Sequence, residues 1–174
     1  AVMVDNISGA SQAVQHLINQ GHTRIGFIGW ANDSTTAADR LSGYKSALAQ
    51  NRCRFDQDLV REGRLTPQSG FVEAQKLLSG DKAPTAIFAA NDQMAFGVIN
   101  AAMEFGLKVP DDLAVVGFDD IPLSSFFVPP LTTVGVPMFS LGTSSMRALI
   151  NLISGKKFSR IKLHKTKLIV RKSS

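Results

Sequence analysis

Short apolar segments of strand length alternate with longer segments of helical periodicity along most of this chain. The spacing predicts strands over residues 25–28, 59–62, 86–90 and 113–118, and helices over 36–50, 67–78 and 93–105. Strands that alternate with helices are joined by crossover connections, which leave them parallel in one sheet. The sequence therefore predicts an α/β fold, a doubly wound parallel sheet with helices on both faces.

Further elements flank this alternation. Before it, residues 2–4 form a short apolar run, and residues 11–20 have helical spacing up to a glycine. After it, several prolines bar regular structure from a loop over residues 121–130. Beyond the loop we expect a strand over 131–136, then a helix with Pro137 in its first turn and a broad apolar face, and finally two short strands.

The composition is that of an ordinary globular protein, with 44% hydrophobic and 19% charged residues among 174. No apolar run approaches the roughly 20 residues that cross a bilayer, and no leader-like segment opens the chain. The single cysteine, Cys53, excludes a disulfide within one chain, which suits a reducing compartment. These features predict a cytoplasmic protein that does not enter a membrane.

Basic residues crowd the end of the chain, where eight of the last twenty residues are lysine or arginine; the formal net charge is +5. Such a cluster can bind nucleic acid. It can equally belong to solvated edge strands, because lysine is common at exposed sheet edges. We favour edge strands, since apolar residues lie among the basic ones at strand spacing, namely Ile161, Leu163, Leu168 and Val170.

Two of the predicted strands run directly into polar pairs. One strand ends in Asn91 and Asp92, and the other ends in Asp119 and Asp120. Ligands of an open parallel sheet bind outside the carboxyl ends of its strands, so these pairs mark the candidate site. Two aspartates could share a proton or hold a divalent cation, but adjacent residues leaving a strand point in opposite directions. Binding is therefore the favoured role.

Signals for catalysis are weak. The three histidines, His16, His22 and His164, fall in different segments without the spacing of metal ligands. The sequence also lacks a glycine-rich phosphate loop of either common kind. We therefore expect a binding protein without metal or cofactor, and not an enzyme.

Three stretches form a specific pattern: PTAIFAANDQMA at 84–95, VPDDLAVVGFDDIP at 109–122 and PPLTTV at 129–134. Shorter stretches at 5–6, 21–28, 40–44 and 168–171 extend it over essentially the whole chain. This pattern closely resembles the lactose/galactose-repressor family of bacterial transcription regulators.

The resemblance implies a two-lobed effector-binding core of the periplasmic-binding-protein type, which in the family follows a helix-turn-helix DNA-binding segment. It implies that residues 1–133 build the second lobe with its crossover strands. Residues 134–158 would cross into the first lobe, most of which is absent from this sequence, and residues 159–174 would return to the second.

The implied function is the effector-binding and homodimerisation portion of a transcriptional repressor. Its effector would be a small polar metabolite, with a sugar or sugar derivative as the first choice. Operator DNA would be contacted only through the separate DNA-binding segment. The alternative is a periplasmic-type sugar-binding protein of a transport system, which has the same fold.

The resemblance also implies effector contacts at Arg40, Asn91 and Asp119. Chemistry supports the set, because a guanidinium donates from a planar fork, a carboxylate accepts from two hydroxyls and an amide does both. Each residue also has a structural interpretation, Arg40 as a solvated helix residue and the other two as caps or turn formers. Trp30 and Leu65 are further candidates, at positions where the family often has a small residue and an aromatic one, respectively.

For the homodimer, the resemblance implies an interface that includes Phe96, Phe126 and Phe127. The last two lie in the proline-bounded loop, where no periodic pattern assigns them to the core. The alternative is that both fold back over their own lobe, because large apolar residues are often simply buried. We expect the interface.

Overall fold

A computed structural model describes residues 1–31, 34–156 and 162–174. Two short 3₁₀ turns, Gln57–Leu59 and Pro122–Ser125, accompany the regular elements. In chain order these elements are β1 Val2–Val4, α1 Asn6–Asn19, β2 Ile25–Trp30, α2 Thr35–Gln50, β3 Val60–Gly63, α3 Pro67–Leu78, β4 Ala86–Ala89, α4 Asp92–Glu104, β5 Ala114–Asp119, β6 Thr132–Gly135, α5 Met138–Ile153, β7 Lys162–His164 and β8 Lys167–Ile169.

Six strands form one sheet in the order β3-β2-β4-β5-β6-β8. The first five are parallel to one another, and β8 runs antiparallel to β6 at the edge. The chain passes from β2 outward to β3 and then returns to β4 on the other side of β2. This reversal creates a switch point between β2 and β4, where open α/β sheets form their ligand crevices. The predicted doubly wound α/β sheet is confirmed.

Helices cover both faces of this sheet. α1 packs against α2 on one face, and α3 packs against α4 on the other. Glycines permit the close approach of each pair. A Cβ atom added at Gly43 would lie 2.3 Å from the carbonyl oxygen of Ile7, and one added at Gly97 would lie 2.0 Å from that of Pro67. The helices in each pair therefore pack backbone against backbone.

The core is centred on β4 and β5, which are buried almost throughout. Strands covered by helices on both faces are apolar almost throughout, as β4 is and as β5 is up to Asp119 at its end. Above β2, the rings of Phe27 and Tyr44 stack with centroids 5.2 Å apart. The hydroxyl of Tyr44 donates to the carbonyl oxygen of Ile25 at 2.8 Å, so the buried phenol is satisfied and ties α2 to the sheet.

Most predicted element boundaries differ from the observed ones by one or two residues, and α3 has the predicted bounds. Helix α1 begins five residues earlier than expected, because Asp5 caps it by accepting a hydrogen bond from the amide of Ser8 at 3.1 Å. Pro137 immediately precedes α5 instead of lying in its first turn. The loop over 121–130 includes one short 3₁₀ turn, which the prolines permit.

Strands β1 and β7 pair in parallel as a separate two-stranded sheet beside α5. Of the two final strands, only β8 joins the larger sheet. The expected return of residues 159–174 to the second lobe stays a prediction; β1, the partner of β7, lies within residues 1–133, which are assigned to the same lobe. Lys157, Arg160 and Ile161, which formed part of the predicted basic cluster and its edge strands, lie outside the described residues.

Basic side chains near the end of the chain have partners within the molecule. Lys162 donates to the hydroxyl of Ser144 at 2.9 Å, and Arg171 pairs with Asp120 at 2.7 Å. Lys167 lies on β8, at the edge of the six-stranded sheet. This placement fits the edge-strand interpretation of the basic cluster better than a nucleic-acid surface.

Ser173 inserts between two strands of the sheet. Its side chain is fully buried, donates to the carbonyl oxygen of Val115 at 2.6 Å and accepts from the amide of Thr132 at 2.8 Å. The amide of Val115 donates to the carbonyl oxygen of Ser173 at 2.7 Å. Ser173 thereby bridges the starts of β5 and β6, just ahead of the point where those strands pair directly.

Helix α5 keeps most of its apolar side chains in solvent. The exposed ones are Met138, Phe139, Met146, Leu149, Ile150, Leu152 and Ile153. The predicted broad apolar face is therefore present, but the described residues leave it largely uncovered. No described helix, α5 included, is long and apolar enough to cross a membrane.

Replacing Gly97 by alanine should destabilise the chain, because the new Cβ would collide with the backbone of α3. We expect the free energy of unfolding, measured by urea denaturation, to fall by about 1–3 kcal/mol. Gly142→Ala is the control, since the space around Gly142 in α5 is open. Alanine there should be neutral or stabilise the helix by about 0.5–1 kcal/mol. Equal stability of the two variants would contradict the backbone packing described above.

Candidate functional site

The carboxyl ends of β2, β4 and β5 meet at the switch point of the sheet. They bring together Trp30, Asn91 and Asp119, and Arg40 reaches the same point from α2. A cleft of about 370 Å³ opens beside them, lined by Asn6, Arg40 and Asp119 together with residues of β1, α2 and α5. The structure thus gathers the predicted polar residues at one edge of the sheet.

Arg40 is the centre of this site. Its side chain is charged, yet the residue is only 7% exposed. Nε donates to Oδ1 of Asn6 at 3.0 Å, one terminal nitrogen donates to Oδ1 of Asp119 at 3.1 Å, and the other donates to the carbonyl oxygen of Ala90. A buried charge needs such partners. The alternative interpretation of Arg40 as a solvated helix residue is therefore wrong.

Two aromatic rings also contact the guanidinium. Cζ of Arg40 lies 3.7 Å from the ring centroid of Phe118 and 5.5 Å from that of Trp30. Such cation–π contacts stabilise a desolvated cation. Burial lowers the pKa of Arg40, and Asp119 acts in the opposite direction. The site therefore contains a cation that is enclosed by oxygen acceptors and by aromatic faces.

The two neighbouring aspartates at the end of β5 lie in a strained turn, and their side chains point in different directions. Both have positive φ, +110° at Asp119 and +55° at Asp120. Non-glycine residues adopt this region rarely, and such strain concentrates at functional sites. Asp119 bonds to Arg40, whereas Asp120 pairs with Arg171 at 2.7 Å. Because the carboxylates diverge, they do not share a proton or a metal ion.

Asp119 is the part of the charged pair that is open to the cleft. About a third of its side chain is exposed, 34%, compared with 8% for Arg40. Burial raises the pKa of Asp119, and the guanidinium of Arg40 opposes this effect. The carboxylate bonds Arg40 through Oδ1. A ligand in the cleft can therefore donate to its remaining acceptor sites.

Asn91 caps helix α4. Its Oδ1 accepts from the amide of Met94 at 2.9 Å, and its Nδ2 donates to the carbonyl oxygen of Leu65 at 3.3 Å. The structural interpretation as a cap is therefore realised in this structure. Leu65 is exposed and has φ of +59°, a rare conformation for leucine. Neither residue lines the cleft, so the structure leaves both beside the site.

Trp30 joins the site through its contact with Arg40. Its indole nitrogen donates to the hydroxyl of Ser34 at 3.2 Å, which fixes the ring at the start of α2. The ring is partly exposed but does not line the cleft. Trp30 therefore contacts the guanidinium without lining the cleft.

Asn6 belongs to the site, although sequence reasoning gave it no separate role. Its Oδ1 accepts from Arg40, and its Nδ2 donates to the carbonyl oxygen of Val4 at 3.2 Å. This residue ties the guanidinium to strand β1. The available signal was the short family match at residues 5–6, which did not indicate a partner.

Asp92 is the second residue whose role emerges only from the structure. It is 1% exposed and accepts three hydrogen bonds, from the amide of Ile121 at 2.9 Å, the hydroxyl of Ser124 at 2.7 Å and the hydroxyl of Thr133. Burial raises the pKa of Asp92 to about 6, although these hydrogen bonds act in the opposite direction. Its donors lie 29 to 41 positions further along the chain, so local spacing gave no signal.

The three phenylalanines expected at a dimer interface occupy different environments. Phe96 is only 3% exposed, and its ring stacks on that of Phe127 with centroids 4.4 Å apart. Phe96 therefore lies in the core and cannot offer its ring to a partner in this conformation, because Phe127 covers it. Phe126 is 80% exposed. Of the loop pair, Phe127 therefore folds back onto its own lobe, whereas Phe126 stays exposed.

Each histidine side chain contacts a different hydroxyl group. His16 contacts the hydroxyl of Ser174, His22 that of Thr85 and His164 that of Ser140. Across residues 1–31, 34–156 and 162–174, no three histidine, cysteine, aspartate or glutamate side chains gather as metal ligands would.

The raised pKa of Asp92 predicts a specific pH dependence of stability. Between its ordinary value near 4 and about 6, the folded chain holds a proton that the unfolded chain has lost. The contribution of Asp92 to the free energy of unfolding should therefore fall as the pH rises through this window, by about 3 kcal/mol for a shift of about two pH units.

Asp92→Asn should remove this component, because the amide does not titrate. Relative to the parent, the variant should gain on the order of 2–3 kcal/mol between pH 4 and pH 7 in urea denaturation. Asp81→Asn, at an exposed position, serves as the control. If the stability difference between Asp92→Asn and the parent stayed constant over this range, the carboxyl would titrate in the same way in both states.

Comparisons with known proteins agree with the geometry. Residues 14–174 match the protein family described as periplasmic binding protein-like domain. The HTH-type transcriptional repressor PurR of Haemophilus influenzae is 38% identical over 173 residues, which cover 97% of this chain and 51% of that protein. The chain thus spans about half the length of the curated relatives it matches.

Two solved structures show the same fold. The transcriptional regulator CelR in complex with cellobiose is 36% identical with a TM-score of 0.95, and the match covers 99% of this chain and 53% of that one. A dimeric Lac repressor is 34% identical with a TM-score of 0.94, covering 99% and 63%. The resemblance predicted from the sequence is confirmed, and the chain belongs to the family of periplasmic binding protein-like domains, with repressors of the Lac repressor kind as its relatives.

Proposed function

We propose that this chain is the effector-binding and dimerisation portion of a transcriptional repressor and that it senses a small, neutral, polar metabolite, with sugars as the favoured class. The observation that carries the proposal is the Arg40–Asp119 pair, which lies at the switch point of the sheet and lines a cleft. The relatives named above, PurR and the Lac repressor, are repressors, which supports a regulatory binding role over the transport alternative.

The charged pair favours a neutral ligand. Arg40 and Asp119 neutralise each other, so a charged ligand that bound one of them would leave the other without its counter-ion. A neutral polyol can accept from the guanidinium and donate to the carboxylate through neighbouring hydroxyls. CelR was solved with cellobiose, which supports a sugar as the class to test here.

We further propose that residues 1–133 and the end of the chain build one lobe of a two-lobed core, and that residues 134–158 belong to the other. The exposed apolar side chains of α5 support this division, because a face of this kind is normally covered. The cleft is lined by residues of the first range, among them Arg40 and Asp119, and by α5 from the second range. An effector there would be enclosed between the lobes.

The DNA contact of such a repressor would lie in a separate helix-turn-helix segment, and the protein would act in the cytoplasm, where operator DNA is. Self-association of this chain would use the loop that presents Phe126 and Val128, each 80% exposed. One structural relative is a dimeric Lac repressor, which supports a twofold dimer.

Trp30 allows effector binding to be measured directly, because it is the only tryptophan and its ring contacts Arg40. We expect one member of a panel of neutral sugars, including glucose, ribose and cellobiose, to change its fluorescence. Arg40→Gln and Asp119→Asn should each weaken that binding by about 10- to 150-fold, through loss of charge-assisted hydrogen bonds worth about 1.5–3 kcal/mol.

Arg24→Gln is the matched control for this titration. Arg24 also pairs with an aspartate, Asp56 at 2.9 Å, but it lies before β2, at the opposite end of the sheet. Its replacement should leave sugar affinity unchanged. The assignment of the site would be wrong if all three variants bound the sugar as tightly as the parent does.

Phe126→Glu should weaken self-association, because it places a charge in the exposed loop that we assign to the dimer. Light scattering over a concentration series would measure the mass of the parent and the variant. Phe139→Glu, on the exposed face of α5, tests the competing apolar surface. We expect Phe126→Glu to shift the mass toward the monomer more than Phe139→Glu does. A parent that stays monomeric, or the reverse order of the variants, would refute the loop interface.

A further inference from the structure

The carboxylate of Asp92 links three separate parts of the chain. Its Oδ2 accepts from the amide of Ile121 at 2.9 Å and from the hydroxyl of Ser124 at 2.7 Å, and its Oδ1 accepts from the hydroxyl of Thr133. Asp92 begins α4, the first two donors lie in the loop after β5, and the third lies in β6. A buried carboxylate with three donors is held in one position.

The first donor fixes the turn that carries Asp119. Ile121 directly follows Asp119 and Asp120, both of which have positive φ. A turn in this strained conformation persists only where its surroundings hold it. The hydrogen bond from Ile121 to Asp92 holds one end of the turn, and the ion pair with Arg40 holds the other.

The second donor fixes the loop that presents Phe126. Ser124 is fully buried, its amide donates to the carbonyl oxygen of Ile121 at 2.9 Å, and its own carbonyl oxygen accepts from the amide of Leu131 at 2.8 Å. Phe126 follows two residues later, with its amide bonded to the carbonyl oxygen of Leu123. The carboxylate that holds the Asp119 turn therefore also anchors this loop.

We propose that Asp92 is a positioning residue that makes the Asp119 turn and the Phe126 loop one mechanical unit. A change at the Arg40–Asp119 pair then reaches Phe126 through the hydrogen bonds to one carboxylate. One consequence rests on the proposed function: effector binding in the cleft changes the conformation of the loop used for self-association. The coupling itself is a property of this chain and can be tested without a ligand.

Ser124→Ala tests the coupling, because it removes one loop hydrogen bond and leaves the carboxylate of Asp92 in place. NMR of the chain should show the amides of Ile121 and Phe126 exchanging with solvent about tenfold faster, as expected for the loss of one hydrogen bond. The Nη2–H signal of Arg40 should shift as well, since this nitrogen donates to Asp119, which the same turn carries.

Thr133→Val is the matched control. It removes a hydrogen bond from the same carboxylate on the side of β6 but keeps both loop donors. It should lower the free energy of unfolding while leaving the Arg40 signal and the exchange of the Phe126 amide as in the parent. Asp92→Asn retains an acceptor for the loop donors and should also preserve the parent pattern. If Asp92 were only a structural anchor, Ser124→Ala and Thr133→Val would behave alike, which would overturn the proposal.

Repeating the exchange measurement with a bound sugar distinguishes this proposal from the function proposed above. If a sugar of the panel changes the fluorescence of Trp30, it should slow exchange at Phe126 in the parent and not in Ser124→Ala. If no sugar does so, the effector proposal fails and the variant comparison still decides the coupling. Faster exchange at Phe126 in Ser124→Ala with an unchanged Arg40 signal would show two independent units and refute the coupling.

Discussion

The buried positive charge of Arg40 is the constraint on which the site depends. A desolvated guanidinium is stable only with partners, and the chain supplies them from three directions, after β1, after β4 and at the end of β5. Buried ion pairs often add little stability compared with apolar packing. The arrangement is better understood as fixing orientation, and the strained φ of Asp119 follows from it, because the carboxylate must turn back toward α2.

A second buried charge lies on the other side of the same strand. The guanidinium of Arg40 rests on the ring of Phe118, while a side chain at Gly117 would collide with the carboxylate of Asp92. Successive residues of a strand face opposite sides, so β5 ends between a cation and an anion. Both charges hold the segment that follows, one through Asp119 and one through Ile121. The ligand edge of the sheet is thus built by electrostatics around a single strand end.

Most of the fold, but only part of the candidate site, could be predicted from the sequence. Alternation of strand and helix periods predicted the sheet, and polar residues after two strands predicted its ligand edge. Arg40 came from the family resemblance, because a lone arginine on a helix gives no sign that it is buried. The partners of Asp92 could not be predicted, since its donors are distant in sequence. Phe96 was assigned to a dimer interface by the family resemblance, and neither the resemblance nor helical spacing reveals that Phe127 stacks on its ring.

The insertion of Ser173 has a consequence for how the chain is made. Most of β5 and β6 leaves the ribosome some forty residues or more before Ser173 does, yet their starts are bridged by its hydroxyl and carbonyl. Contacts between such distant positions form late. This side of the sheet therefore stays incomplete until Ser173 has been synthesised, and unpaired backbone groups of strands can pair with other chains during that interval.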